Sequence, residues 1–268
     1  MVCFQQRLLS RWQFRWFAQA APLRVNPANP RYFIDGAGKA IYLTGSHTWA
    51  NLQDNGGGVG GSNSNPPPVF DYNGYLNLMQ SNGHNFMRMW RWEFPKTAAP
   101  SYSEPHPWLR TGPGNSADGK LKFDLNRFNQ AYFDRLRSRV IAAGNKGIYV
   151  DIMLFEGWVI KGSPTSWAYH PFNKNNNISG INGDLNNNGN GEETHSLQSA
   201  TITNIQKAYI RKVIDTVNDL DNVLYEIANE SGVTGSKEWQ YNLINYIKSY
   251  QAGKPKKHPV GDPAGMGY

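Results

Sequence analysis

"NVLYEIANES", residues 222–231, is the stretch whose reading decides the fold. Val223, Leu224, Tyr225, Ile227 and Ala228 form a short, nearly continuous apolar run that stops at Asn229, Glu230, Ser231 and Gly232. A strand without strict apolar/polar alternation is buried on both faces, and such strands belong to parallel sheets covered by helices. The run therefore predicts a central strand that delivers an amide and a carboxyl group side by side at its C-terminal end.

Outward from this strand, the flanking segments have helical period. Ile202, Ile205, Tyr209, Val213 and Val217 share one face of a helix predicted over 197–220, and a second helix is predicted over 236–252. "HPVG" at 258–261 starts a fifth strand. Upstream, "GIYVDIMLFEGW" (147–158) and "HNFMRMWRWEF" (84–94) read as the third and second strands. Between them, Phe128, Tyr132, Leu136, Arg139 and Val140 follow helical spacing, with Asn126 as the predicted cap and Gly144 as the terminator. Residues 95–120 read as a Pro/Gly-rich loop, and a short helix fits Tyr72–Ser81, closed by Gly83. "RYFID" and "AIYLTG" flank the turn "GAGK" as an N-terminal hairpin whose second arm becomes the first buried strand.

Strand and helix thus alternate four times, which implies an α/β fold with a helix-covered parallel sheet. A doubly wound sheet would place a Gly-rich phosphate turn after its first strand. Here that strand ends "TGSHTW", so a (β/α)8 TIM-barrel type is preferred, incomplete, with about strands 1 to 4 or 5 present. Residues 1–24 are assigned to a leader or disordered segment, and 25–268 to a partial barrel domain. "FAQAAP" (17–22) resembles the small-residue end of an export signal, although Arg7, Arg11 and Arg15 interrupt the region before it.

Composition narrows the function. The formal charge is +7, but Arg7, Arg11, Arg15, Arg24, Lys254, Lys256 and Lys257 lie near the two ends, and without these seven cations the middle is close to neutral. A nucleic-acid-binding domain would carry its basic stripe on the folded body, so that class is set aside. No apolar run approaches the ~20 residues that span a membrane. The single cysteine, Cys3, excludes an intrachain disulfide framework and a thiolate metal cluster. Oligomeric state is left open.

In a (β/α) barrel, chemistry gathers at the C-terminal ends of the strands. Those ends carry His47 and Trp49; Arg88, Trp90, Trp92 and Glu93; Glu156 and Trp158; Asn229 and Glu230. Each one alone is compatible with packing, but four strands ending this way argue for a site. A carboxyl group half shielded by rings has its pKa raised and can hand a proton to a leaving oxygen. Indoles stack on sugar faces, and an amide beside the acid can hold a hydroxyl.

"NVLYEIANES" resembles the fourth-strand motif of clan A glycoside hydrolases, the retaining (β/α)8 group that includes family 5 cellulases and mannanases. "NFMRMW" (85–90) is similar to that group's second-strand N-x-x-R segment. The resemblance runs over about residues 31–262 and is strongest at these two strands. It implies Glu230 as acid/base, Asn229 as the holder of the sugar 2-hydroxyl and Arg88 as a supporting cation. It also implies a β-linked carbohydrate substrate, no cofactor, and a secreted or extracytoplasmic setting. His47, Trp49, Trp90, Trp92, Glu93, Glu156 and Trp158 are the expected substrate contacts. The chain departs from the pattern at the second carboxylate, which lies at the end of strand seven in that clan. Only 38 residues follow Glu230, whereas a full barrel takes ~250. The nucleophile is therefore expected to be absent from this chain, and the chain alone to be inactive and prone to aggregate through open sheet edges. Glu226, on the same strand face as Glu230, is expected to be paired with a cation such as Arg88.

Two other motifs were weighed. "GNSADGKL" (114–121) approaches a phosphate loop but has Leu121 where a hydroxyl is required. "DLNNNGNGEETH" (184–195) matches a calcium loop at Asp184, Asn186, Asn188 and Gly189, with His195 in place of the bidentate Glu, and an Asn-rich surface loop accounts for it more simply. The alternatives to a glycosidase are a non-catalytic carbohydrate-binding module and a metal-assisted (β/α) hydrolase using Asp151, His47 and Glu156. The histidines have no tight metal spacing, so no metal site is assigned.

Overall fold

The computed structural model describes residues 21–57, 62–97, 101–158, 160 and 164–261. In chain order these form β1 (Arg24–Val25), β2 (Phe33–Ile34), β3 (Ala40–Ile41), β4 (Asp54–Asn55), α1 (Tyr72–Ser81), β5 (Phe86–Met89), β6 (Ser103–Glu104), β7 (Trp108–Asn115), β8 (Leu121–Phe128), α2 (Gln130–Gly144), β9 (Tyr149–Glu156), α3 (Pro164–Trp167), a 3-10 turn (Glu192–His195), α4 (Ala200–Val217), β10 (Val223–Asn229), α5 (Ser236–Ala252) and β11 (Val260–Gly261). Most of the leader assigned to residues 1–24 lies outside the described residues, while Leu23 is already buried against Tyr149 and Leu224.

The central sheet has the order β11-β10-β9-β5, and its neighbours pair in parallel. A parallel bridge from Gly45 to Phe86 brings the first strand to the other side of β5. Only glycine fits there, since a Cβ on Gly45 would stand 1.6 Å from the Phe86 carbonyl oxygen. Strands one to five therefore follow each other around the sheet in sequence order. This is an incomplete TIM-type wall, with strands one and five represented by short pairings.

Every residue of β9 and β10 is buried, which is why their sequences do not alternate. On the outer face Met87, Met89, Val150, Ile152, Leu154, Val223, Tyr225 and Ile227 join one core with Leu136, Val140, Val213, Ile214, Leu243 and Ile247 of the helices. On the inner face Met153 packs with Trp90, Trp92 and Phe94. At the N-terminal ends of the strands, Leu23, Phe33, Ile41 and Leu43 of the small β1-β2-β3 sheet pack on Phe86, Tyr149 and Leu224. One end of the wall is thus closed by apolar side chains, which leaves the C-terminal end for polar groups.

Helices α1 and α5 span the residues predicted for them, and Asp71 caps α1 by accepting from Gly74 N at 2.9 Å. Residues 95–120 differ from expectation. Trp108–Asn115 and Leu121–Phe128 form an antiparallel hairpin, because Phe123 and Leu125 alternate with polar neighbours and the Pro/Gly run serves as its turn. Phe128 accordingly belongs to β8, and the cap position of α2 is Asn129 instead of Asn126.

The Asn-rich loop is ordered by its own amides. Asn176 Nδ2 donates to the carbonyls of Ala168 (2.7 Å) and His170 (2.9 Å), and Asn177 Nδ2 donates to those of Pro171, Asn173 and Ile181. These bonds satisfy backbone groups that have no ladder to join. Among the described residues no helix is long and apolar enough to cross a membrane.

Candidate active site

Arg88 leaves β5 on the inner face and reaches across the sheet to β10. Its Nε donates to Glu226 Oε2 at 2.5 Å and its Nη2 to Glu226 Oε1, a bidentate pair. Glu226 is almost fully buried, so this pairing is what makes its charge tolerable there. Arg88 Nη1 donates to Asn229 Oδ1 at 3.0 Å. With its oxygen taken, the Asn229 amide must present Nδ2 elsewhere, and Nδ2 donates to Glu156 Oε1 at 3.2 Å. Asn229 and Glu156 are register partners on β10 and β9.

Glu156 is completely buried at the end of β9, and its Oε1 also accepts from Trp158 N at 2.8 Å. Burial pushes its carboxyl up to about 8 against the two hydrogen bonds, with the nearby carboxylates Glu93 and Glu230 adding to the rise. The carboxyl group kept neutral by its surroundings is therefore Glu156, whereas the sequence placed that effect at position 230.

Glu230 takes a left-handed backbone conformation, φ 47°, directly after the strand. Residues other than glycine adopt it at some cost, so the neighbours must hold it. Gly157 N donates to Asn229 O at 2.7 Å, Gly232 N donates to Glu230 O at 2.9 Å, and Ser231 Oγ lies 2.9 Å from His195 Nδ1. The turn carries Glu230 out to the cavity mouth, where it is exposed. The expected half-shielding by rings is thus corrected: the strand stops one residue earlier than that reading required.

A cavity of about 420 Å³ opens at these strand ends, lined by His47, Trp49, Arg88, Trp90, Trp92, Glu156, Trp158, Asn229 and Glu230 together with Asn55, Gly57, Thr97 and Ser101. That volume lies within the range of small-ligand sites. His47 stacks on Trp90 with ring centres 5.6 Å apart, and burial followed by Arg88 lowers its pKa. Trp92 Nε1 donates to Trp49 O at 2.7 Å. Trp90 and Trp92 are buried, whereas Trp49 and Trp158 are 48% and 51% exposed and free to act as platforms.

Glu93 does not line the cavity, a second correction. It lies behind it, 1% exposed, accepting from Glu156 N at 2.9 Å and bonding His195 Nε2 at 3.1 Å and His170 Nε2 at 3.0 Å. Burial alone would raise its pKa, but Arg91 and the two histidines outweigh that and hold it well below the usual carboxylate range. Position 93 is thus occupied by an anion that braces Glu156 and, through His195, the turn after Glu230.

Sequence reasoning missed His170, His195 and Ser231 as parts of this support, and Asn55, Thr97 and Ser101 as cavity wall. The motif around His195 pointed to a calcium loop, yet that ring is buried against Glu93 and stacks on Trp239. The Asp184 carboxylate is taken up by Asn188 N and Gly189 N. No cluster of three or more His, Cys, Asp or Glu able to hold a metal occurs among the described residues.

Residues 82–264, more than half of the sequence and all candidate residues except His47 and Trp49, match a family described as a domain of unknown function, DUF6298. The chain belongs to the DUF6298 family. No curated protein matches it. Among solved structures, this DUF6298 chain resembles a glycoside hydrolase family 5 mannosidase from Rhizomucor miehei, with a TM-score of 0.54 and 16% identity over 90% of this chain and 55% of that one. An exo-β-1,4-mannosidase, Op5Man5, from Opitutaceae bacterium strain TAV5 gives 0.51 and 19% over 83% and 32%. An endo-1,4-β-mannanase from Rhizomucor miehei gives 0.50 and 15% over 91% and 59%. At these identities the likeness is one of fold: the DUF6298 chain has a glycosidase-type architecture and spans roughly a third to three fifths of the length of these structures.

Proposed function

We propose that this DUF6298 chain carries the acid/base half of a retaining glycoside hydrolase site acting on a β-linked glycan. The observation that carries the reading is the chain of bonds Glu226–Arg88–Asn229–Glu156, which fixes Asn229 at the end of β10 with Glu230 next to it at the mouth of a tryptophan-lined cavity. In this reading Glu230 protonates the departing sugar oxygen, Asn229 orients the sugar, and Arg88 holds the anionic and amide groups in place. Trp49 and Trp158 stack on sugar rings, with His47, Trp90 and Trp92 shaping the floor. Retaining cleavage needs a second carboxylate about 5–5.5 Å from the first. Glu156 is neutral and tied to Asn229, which makes it unsuitable as that nucleophile, so the nucleophile is proposed to come from sequence beyond this chain. A polymeric glycan substrate agrees with export from the cytoplasm.

The test is release of reducing sugar from β-1,4-mannan and β-1,4-glucan by the full gene product. Glu230→Gln should lower turnover about 10²–10⁴-fold, the contribution of a positioned proton donor. Wild-type turnover in that variant would refute the assignment. The exposure of Trp49 and Trp158 also fits a second reading, a carbohydrate-binding surface without hydrolysis. It predicts Trp fluorescence changes with soluble glycans and no reducing-sugar release.

A further inference from the structure

The two oxygens of Glu156 have different surroundings. Oε1 accepts from Trp158 N and Asn229 Nδ2, while Oε2 is shut off from solvent and has no hydrogen-bond partner in the protein. The side chain nevertheless forms part of the cavity wall. An ionised carboxylate here would bury negative charge on an oxygen with no donor, at high cost. A neutral acid keeps Oε1 as the carbonyl acceptor and places its hydroxyl at Oε2, where it lacks only an acceptor.

The charged groups around Glu156 favour the neutral form. Glu93, behind β9, and Glu230, at the end of β10, are both acids. Arg88 is spent on Glu226 and Asn229. The buried Arg91 donates to the Leu154 carbonyl and lies 3.6 Å from Glu93, and His170 and His195 also bond Glu93. Among the described residues no cation forms an ion pair with Glu156.

Taking the cavity as a saccharide site, as proposed above, we propose that Glu156 is a specificity-determining residue whose neutral Oε2 hydroxyl donates a hydrogen bond to an oxygen of the bound sugar. A neutral donor calls for an uncharged acceptor such as a sugar hydroxyl, and it disfavours a cationic amino sugar, which would require the carboxylate. Burial, which keeps the group protonated at neutral pH, is consistent with this.

The experiment is calorimetric titration of the full gene product with mannohexaose and cellohexaose from pH 6 to pH 9.5, for the wild type and two variants. Wild-type affinity should be constant to about pH 7 and then fall, approaching tenfold per pH unit once the acid is ionised. Glu156→Gln puts an amide N–H₂ in place of the hydroxyl, so its affinity should stay within about threefold of the wild type and become flat with pH. Glu156→Leu should bind about tenfold more weakly at every pH. Binding of the wild type that does not change with pH, or loss of binding in the Gln variant, overturns the proposal while leaving the saccharide site standing. If the wild type binds neither sugar, the saccharide reading of the cavity fails and the proposal fails with it.

Discussion

Asn229 ties Arg88 to Glu156: its side-chain oxygen accepts from the guanidinium at 3.0 Å and its nitrogen donates to the carboxyl at 3.2 Å. A single amide thus couples the second, third and fourth strands at the mouth of the wall. Replacing it by Ala removes both bonds and leaves buried groups unmatched, at an expected cost of about 1–3 kcal/mol. Asn229→Asp should behave differently with pH. At pH 6 the new carboxylate can accept from neutral Glu156, whereas at pH 9 two acids compete for one proton. Melting temperatures at the two pH values should show the Asp variant losing more, relative to the wild type, at pH 9. An equal loss at both would contradict a neutral Glu156.

Glu156 also predicts how stability changes with pH. Its folded pKa is raised from 4.5 to about 8, so between those values the folded chain keeps a proton that the unfolded chain has released. The stabilisation is complete below about pH 4.5, declines by about 1.4 kcal/mol per unit as pH rises, and is lost above about pH 8. Glu156→Gln removes this dependence. Urea unfolding of both proteins from pH 5 to pH 9 should give a difference that grows in favour of Gln up to about pH 8 and is level beyond. Parallel curves would mean that the carboxyl ionises normally.

The bidentate Arg88–Glu226 pair should couple strongly. Arg88→Ala leaves Glu226 buried without its cation and should cost about 3–5 kcal/mol. Arg88→Met combined with Glu226→Leu removes both charges and should recover much of that loss. A double-mutant cycle by denaturant unfolding measures the coupling, and additive losses would show that the pair does not act as a unit.

The strands and three of the helices were legible because their signals are local. Asp71 and Gly83 bound α1, and the uninterrupted apolar runs of β9 and β10 reflect burial on both faces. The hairpin β7–β8 was not legible, because Phe128 happens to fall in phase with the α2 face and the glycines of its turn read as loop. Arg88, Asn229, Glu156, Glu230 and the tryptophans could be named from their strand-end positions. The arrangement among them could not. Glu93 is set by His170 and His195, which lie 77 and 102 residues away along the chain, and no local pattern encodes those contacts. The outward position of Glu230 depends on one left-handed residue that the dipeptide Asn-Glu does not announce.

The central claim, that Glu230 donates a proton to the departing sugar oxygen, is tested most directly by varying the leaving group. The full gene product and its Glu230→Gln variant would be compared on an unactivated β-1,4-mannoside or β-1,4-glucoside and on the matching dinitrophenyl glycoside, whose leaving group departs without a proton. The account predicts that the variant loses about 10²–10⁴-fold in forming the glycosyl-enzyme from the unactivated substrate and little from the dinitrophenyl one. An equal loss on both substrates, or no loss on either, would contradict it.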